Sequence, residues 1–294
     1  MTIIQTTLSP ETTLYRYMDL TKFISLLHSK SIYLSQMTSF DDLLEGSLSA
    51  QSYISNSNDA CILDVACNLS WGGEINETSK ERNKRMLKIE ESKSDIDKRT
   101  FDTPFGKFLS EDINEKLYQC KEHIYVSCWH KSEYESAAMW KLFGAENSIC
   151  IKTSVSKILN GNIPKETVVR LDEVKYINHS IQNTHTNSLE PFLSKSLAYE
   201  FEKEVRLIGF NPKENISSPP AQFKEIHYNV LHNLIEEIIL SPDSLPWFRE
   251  QIISLCNLYG LSNPRIVESE LTQKPITDIY SAMISIEKNK KPAS

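Results

Sequence analysis

Apolar and polar positions alternate along "TTLYRYM" (12–18), which predicts a short strand. The period then changes. Leu20, Phe23, Ile24 and Leu27 recur at helical spacing through "DLTKFISLLHSK", with Asp19 or Thr21 as N-cap. "SIYLSQMTSF" reads as a second strand running into a loop, which "DDLLEGSLS" closes with acidic residues and a glycine. "HIYVSCWH" is β-branched and aromatic and predicts a strand. "SEYESAAMWKLFG" predicts a helix of about three turns, with a capping box of Ser132 and Glu135 and with Gly144 at its end. "NSICIKTSV" and "EVRLIGF" read as strands, "ETVVRLDEVKYI" as one or two more, and "PRIVESEL" as the last. "LEPFLSKSLAYEF" has a helical pattern on Leu189, Phe192, Leu193, Leu197 and Phe201. "VLHNLIEEIILSP" is an apolar segment with a proline stop, and "PWFREQIISLCNLYGL" an amphipathic helix ending at Gly260. Strands and helices mix without regular βαβ spacing, so the expected class is α+β. A single mixed-sheet domain is expected over 1–285, with a charged helical insertion at about 51–122, a C-terminal helix, and a disordered tail at 286–294.

Length and composition narrow this picture. The 294 residues suffice for a sizeable core, and 40% hydrophobic with 24% charged residues is the profile of a globular protein. A net charge of −7 argues against a whole-protein attraction to nucleic acid or anionic membrane. Within the insertion, "TSKERNKRMLKIEESKSDIDKRTF" reads as a solvated helix, with nucleic-acid contact through Lys80, Arg82, Lys84, Arg85 and Lys88 as the lesser reading. No apolar run reaches the length of a membrane span, and the first residues lack a signal-peptide pattern. The six cysteines have neither CxxC nor zinc-site spacing, so reduced thiols in a bacterial cytoplasm are expected. GxGxxG, P-loop and GxSxG motifs are absent, and with eight glycines a glycine-cradled phosphate is not expected.

The densest candidate chemistry is "YEFEKEVRLIGF". On a strand, Glu200, Glu202, Glu204 and Arg206 share one face, a row of carboxylates closed by a cation. On a helix, Glu202 and Arg206 form an ordinary i,i+4 pair. Arg16, between Tyr15 and Tyr17, suits a phosphate or carboxylate fork, or an ion pair on an edge strand. Trp129 and Trp140 are core aromatics or walls for a flat heterocycle. Cys128 beside His130 does not by itself make a nucleophile–base pair.

Taken together, "LYRYMDLTKFISLLHSKSIYLSQMTSFDDLLEG", "VSCWHKSEYESAAMWKLFG", "KSLAYEFEKEVRLI" and "IEEIILSP" resemble the domain of unknown function 2971 family over about 13–270. The chain departs from its pattern at "SFDDLLEG", where Asp41, Asp42 and Glu45 replace an Asn-Asp-Pro loop, and at Val205, where tryptophan is common. More distantly, the opening strand–helix–strand and the late Glu-x-Glu resemble the ADP-ribosyltransferase fold. That resemblance implies NAD as substrate. It gives Arg16 or Tyr17 the NAD-contacting place, and Ser35, or second to it Ser127, the bracing serine. Met139 and Trp140 would line the nicotinamide pocket, and Glu202 and Glu204 would be the catalytic pair, with Arg206 or Lys195 holding them. It implies a toxin or phage-defence effector acting on a nucleic acid or protein.

The chemistry suits the carboxylates. Cleaving the nicotinamide–ribose bond builds positive charge on the ribose, which Glu204 would stabilise while Glu202 takes the acceptor's proton. This reading requires Arg16 and Glu204 to face one cleft from adjacent strands and fails if they lie on opposite faces. Two alternatives compete. One is a non-catalytic module binding protein or nucleic acid, with "EFEKEVR" as a structural salt-bridge ladder. The other is a metal-dependent nuclease using Asp41, Asp42, Glu45, Glu202 and Glu204 as Mg²⁺ ligands.

Overall fold

The chain begins with strands β1 (Ile3–Thr6) and β2 (Thr13–Met18), helix α1 (Leu20–Ser29) and strand β3 (Ser31–Gln36). This is a computed structural model, which describes residues 2–65, 67, 76–144, 146–182, 187–220, 224–273 and 275–288. Asp19 caps α1 by accepting from Lys22 N at 2.8 Å, and Phe23, Leu26 and Leu27 are its buried stripe. Helices α2 (Ala50–Asn56), α3 (Asp59–Asp64) and α4 (Ser79–Asp97) follow, then the hairpin β4 (Thr100–Thr103) and β5 (Gly106–Leu109), and α5 (Ile113–His123). Next come β6 (Tyr125–Lys131), α6 (Ala137–Phe143), β7 (Ile149–Ser154), α7 (Val155–Leu159), β8 (Val168–Glu173), β9 (Lys175–Ile177) and β10 (Ser194–Ser196). The last elements are β11 (Glu204–Phe210), β12 (Lys224–His227), β13 (Glu237–Leu240), α8 (Phe248–Leu258), β14 (Ile266–Glu268) and α9 (Ile279–Lys288).

Ten strands form one mixed sheet in the order β1-β8-β11-β6-β2-β7-β13-β14, with β3 also paired to β6 and β12 paired to β3. The expected α+β class holds. One face carries the larger core, including Phe23, Leu27, Trp129, Leu207 and Phe248. The other carries a second core of Ile113, Leu117, Phe192, Ile208 and Phe210, beside a smaller one of Tyr15, Tyr17, Met139 and Trp140.

Several expectations change. The insertion at 51–122 is not uniformly a charged helix. Only α4 fits that description, capped by a Thr78–Glu81 box and with one buried residue, Ile89, whereas α5 buries Ile113, Leu117 and Cys120 in the second core. "LEPFLSKSLAYEF" is not a helix but two 3-10 segments, Glu190–Leu193 and Leu197–Glu202, flanking β10. The α6 N-cap is Ser136 rather than Ser132, because Glu135 is committed elsewhere: it accepts from Trp140 Nε1, Ser269 Oγ and Glu270 N. Ile286–Lys288 continue α9, and the rest of the expected tail, 289–294, lies outside the described residues. All six cysteines are free, and no helix among the described residues is long and apolar enough to cross a membrane.

Candidate functional site

The site follows from how β6 is shared. Its C-terminal end pairs with β2 (Leu14↔Lys131, Tyr15↔His130), and its N-terminal end pairs with β3 (Ser35↔Val126, Gln36↔Tyr125). Residues 127–129 have neither partner on that edge, so β2 and β3 splay apart there. The split opens a cleft of about 510 Å³. Arg16, Tyr17, Ser35, Met139, Glu202 and Glu204 all line it. Trp140 sits one layer back, edge-on to Tyr17 at 4.9 Å between ring centroids. Ser127, Trp129, Phe40 and His130 complete the wall near these groups.

The carboxylate row does not form as a strand face. Leu197–Glu202 is a 3-10 segment, and Lys203 breaks it with φ +42°. The ladder begins only at Glu204, opposite His130. His130 Nδ1 lies 2.5 Å from Glu202 O, and Tyr176 Oη accepts from Glu204 N at 2.7 Å, which fixes this turn against the sheet. Glu200 is exposed and is not in the cleft lining; it lines a second cavity, which Glu204 also borders.

Glu204 and Arg206 are buried and joined bidentately, with Arg206 Nε to Glu204 Oε1 at 2.8 Å and Nη2 to Oε2 at 3.0 Å. Arg206 Nη1 also donates to Phe192 O at 2.8 Å. Lys195 Nζ reaches three carboxylates: Glu202 at 2.6 Å, Glu45 at 3.2 Å and Glu204 at 3.3 Å. Burial alone would push the Glu204 carboxyl up, but the Arg206 charge and hydrogen bonds, with Lys195, outweigh it and hold it at about 2. The same burial works against Lys195 and Arg206, and the carboxylates reverse it in both. The expected clamping of the carboxylates by Arg206 and Lys195 is thus present, and both cations serve.

Arg16 has the opposite environment. It lies on the central strand β2, not on an edge, and is half-buried. Its guanidinium carbon lies 5.4 Å from the centroid of the Trp129 ring, and among the described residues no carboxylate is within ion-pair distance. Burial lowers its affinity for a proton, with only Cys128 and Tyr228 opposing. Such a cation leaves an anion site open.

Register decides how Arg16 and Glu204 relate. Residues directly opposite in an antiparallel pair point to the same side. Tyr15 and Glu204 both lie opposite His130, so they share a face, and Arg16 projects to the other face with Trp129 and Val205. Arg16 and Glu204 are therefore two strands apart on opposite faces. The expectation that they meet on one face from adjacent strands is corrected; both reach the cleft only because it passes through the split.

The Mg²⁺ arrangement is also corrected. Lys195 and Arg206 occupy the space among Glu45, Glu202 and Glu204. Asp42 is committed to its own loop and to β10, accepting from Leu44 N at 2.9 Å and from Ser196 Oγ at 3.2 Å. No cluster of three or more His, Cys, Asp or Glu side chains that could hold a metal ion occurs among the described residues. Burial, with the Glu204 charge, pushes the Cys128 thiol well up, and burial lowers His130, so that pair is not poised as thiolate and imidazolium.

Sequence reasoning missed Phe40 and underused Glu45. The acidic loop was visible as a motif, but nothing local showed that it folds into the cluster. No family model, no curated protein and no solved structure matches the chain.

Proposed function

We propose that the chain binds an NAD-type dinucleotide in the cleft at the sheet split. The observation that carries this is Arg16, a desolvated guanidinium with no carboxylate partner among the described residues, in a cleft also lined by aromatic rings. Arg16 suits the diphosphate. Tyr17 and Met139 suit a flat ring, and Ser35 offers a hydroxyl. The resemblance to the ADP-ribosyltransferase fold implies the same ligand, while the domain of unknown function 2971 family implies no particular activity.

A second reading adds turnover: the chain is an ADP-ribosyltransferase-like enzyme, with a toxin or phage-defence role as the corresponding biology. Glu202 favours it, because this carboxylate lines the cleft and keeps some exposure. In that reaction the nicotinamide–ribose C–N bond breaks and its electron pair leaves with nicotinamide. A bond forms from the ribose carbon to the acceptor, whose proton passes to Glu202. Glu204, saturated by Arg206 and Lys195, acts as a positioning residue. The form of the reaction that needs Glu204 and Arg16 on one face fails, because the register puts them on opposite faces; transfer through Glu202 is a different assignment of roles. A binding module without chemistry draws on that same saturation, which makes the Glu204–Arg206 part of "EFEKEVR" a structural pair.

Two measurements on purified protein test both readings. Calorimetric titration with NAD should show binding that Arg16→Met abolishes. Nicotinamide release should be assayed in parallel with lysate protein, DNA, RNA or water as acceptor, beside Glu202→Gln. Binding and release, with release lost in Glu202→Gln, supports transfer. Binding without release leaves the module. No binding overturns the proposal.

A further inference from the structure

The loop after β3 enters the ion cluster from a distant part of the chain. Glu45 is 2% exposed. Its Oε1 lies 3.2 Å from Lys195 Nζ and 3.4 Å from Arg206 Nη2, while its Oε2 is buried with no hydrogen-bond partner among the described residues. The loop is built for this position. Asp42 turns it by accepting from Leu44 N, Gly46 follows Glu45 at φ +71°, and Gly46 N donates to Pro191 O at 3.2 Å. Phe40, at the start of the loop, lines the cleft and lies 5.6 Å from the Arg206 guanidinium carbon.

Counting charge gives the consequence. Glu45, Glu202 and Glu204 surround two cations, Lys195 and Arg206, so the cluster carries three negative charges against two positive. One negative charge is in excess. Glu202 and Glu204 border the cleft with Tyr17, Phe40 and Glu225, so that excess faces the ring side of the space. Arg16 and Lys22 also line the cleft, Arg16 from the opposite face of the sheet, where it suits the diphosphate. Negative potential beside aromatic faces favours a flat cation.

We propose that Glu45 is a positioning residue that makes the carboxylate wall of the cleft selective for a positively charged ring. It rests on the nucleotide reading for the ring's identity: the oxidised, cationic nicotinamide over the reduced, neutral one. Glu45 does this without touching the ligand. It shares Lys195 and Arg206 with Glu202 and Glu204, and so leaves the three carboxylates together one positive charge short. Other ionisable groups near the cluster are Lys121 and Asp42 beside the loop, Cys128 and His130 from β6, Tyr176 from β9, and Tyr199, whose ring Lys195 covers at 4.6 Å.

The test compares 1-methylnicotinamide, a cation, with neutral nicotinamide by ligand-observed NMR, and separately NAD with its reduced form by calorimetry. The unaltered protein should favour the cation of each pair by about tenfold, the size expected for one extra charge near a protein surface. Glu45→Gln should bring the ratio close to one, and Glu45→Asp should keep it. A purely structural role would weaken both members of a pair equally. If Glu45→Gln does not fold, the unaltered protein decides. Burial holds the Glu45 carboxyl above its ordinary range against Arg206 and Lys195, so the preference should fade as the pH drops into the upper carboxylate range. Equal binding of the two rings, no binding of either, a ratio unchanged in Glu45→Gln, or a pH-independent preference would overturn the proposal. A Glu45-dependent preference for 1-methylnicotinamide with no binding of either dinucleotide would uphold it and overturn the nucleotide reading.

Discussion

Two arginines lie on either side of β6, Arg16 lining the cleft at the split and Arg206 buried behind its carboxylates, and they have opposite surroundings. Arg206, fully buried on β11, donates to Glu204 twice and to Phe192 O, and lies 3.4 Å from Glu45. Arg16, half-buried on β2, has a tryptophan ring beside it and, among the described residues, no carboxylate within ion-pair distance. A buried charge is costly unless paired, so Arg206 with its carboxylates is consistent as architecture. Arg16 keeps its charge in a partly desolvated place with no carboxylate partner among the described residues, an arrangement that costs stability and gains from an incoming anion. The lesson is that the candidate ligand contact is marked by what it lacks, not by the density of charge around it.

The largest effect should come from breaking the architectural side. Arg206→Met leaves Glu204 and Glu45 with Lys195 alone and should cost about 3–5 kcal/mol, read as a lower midpoint in chemical denaturation. Loss of a much smaller size would make the two arginines alike. Acid tests the same side without mutation. Glu204 is held below its ordinary 4.5, at about 2, so its contribution is present above 4.5 and is lost as pH falls from there toward about 2. That loss is on the order of 3 kcal/mol by linkage, and Arg206→Met should flatten this part of the stability profile. Glu45, raised by burial, works in the opposite sense and regains stability on protonation, so Glu45→Gln should steepen the profile.

A smaller effect is expected at the loop that feeds the cluster. Gly46→Ala puts a Cβ 2.9 Å from the Lys121 side chain at a left-handed backbone position and should cost about 1–2 kcal/mol by thermal unfolding. The smallest change in stability should come from Arg16→Met. Removing a cation with no ion-paired carboxylate among the described residues should leave the unfolding midpoint unchanged or slightly higher, within about 0.5 kcal/mol. The same variant should lose any stabilisation by inorganic pyrophosphate. An Arg16 variant as unstable as the Arg206 one would erase the distinction.

Much of the fold was legible because local patterns decide it. β2, α1, β3, β6, β7, β11 and α8 lie where alternation and helical spacing predicted them. The failures share a cause. "LEPFLSKSLAYEF" has helical spacing, yet Lys175, through its contact with Glu190, and the β9–β10 pairing hold it as short segments around a strand. Glu135 suits a capping box, but Ser269 and Glu270, more than a hundred residues away, recruit it. For the site, alternation correctly put Glu204 and Arg206 on one face, and the row stopped there because Lys203 adopts a left-handed turn. The offset between Arg16 and Glu204 was not legible, because a one-residue change of register reverses a side chain's face.

By itself the sequence determined the class, most of the strands, the pairing of Glu204 with Arg206 and the presence of an arginine between two tyrosines. Each rests on residues within a few positions of one another, where backbone periodicity fixes which side chains are neighbours. Tertiary structure alone decided that β2 and β3 splay from one edge of β6, that Glu45 and Lys195 join the cluster, and that Arg16 has no ion-paired carboxylate among the described residues. These depend on strand order and register, which arise when segments far apart in the chain pack together and which no local spacing encodes.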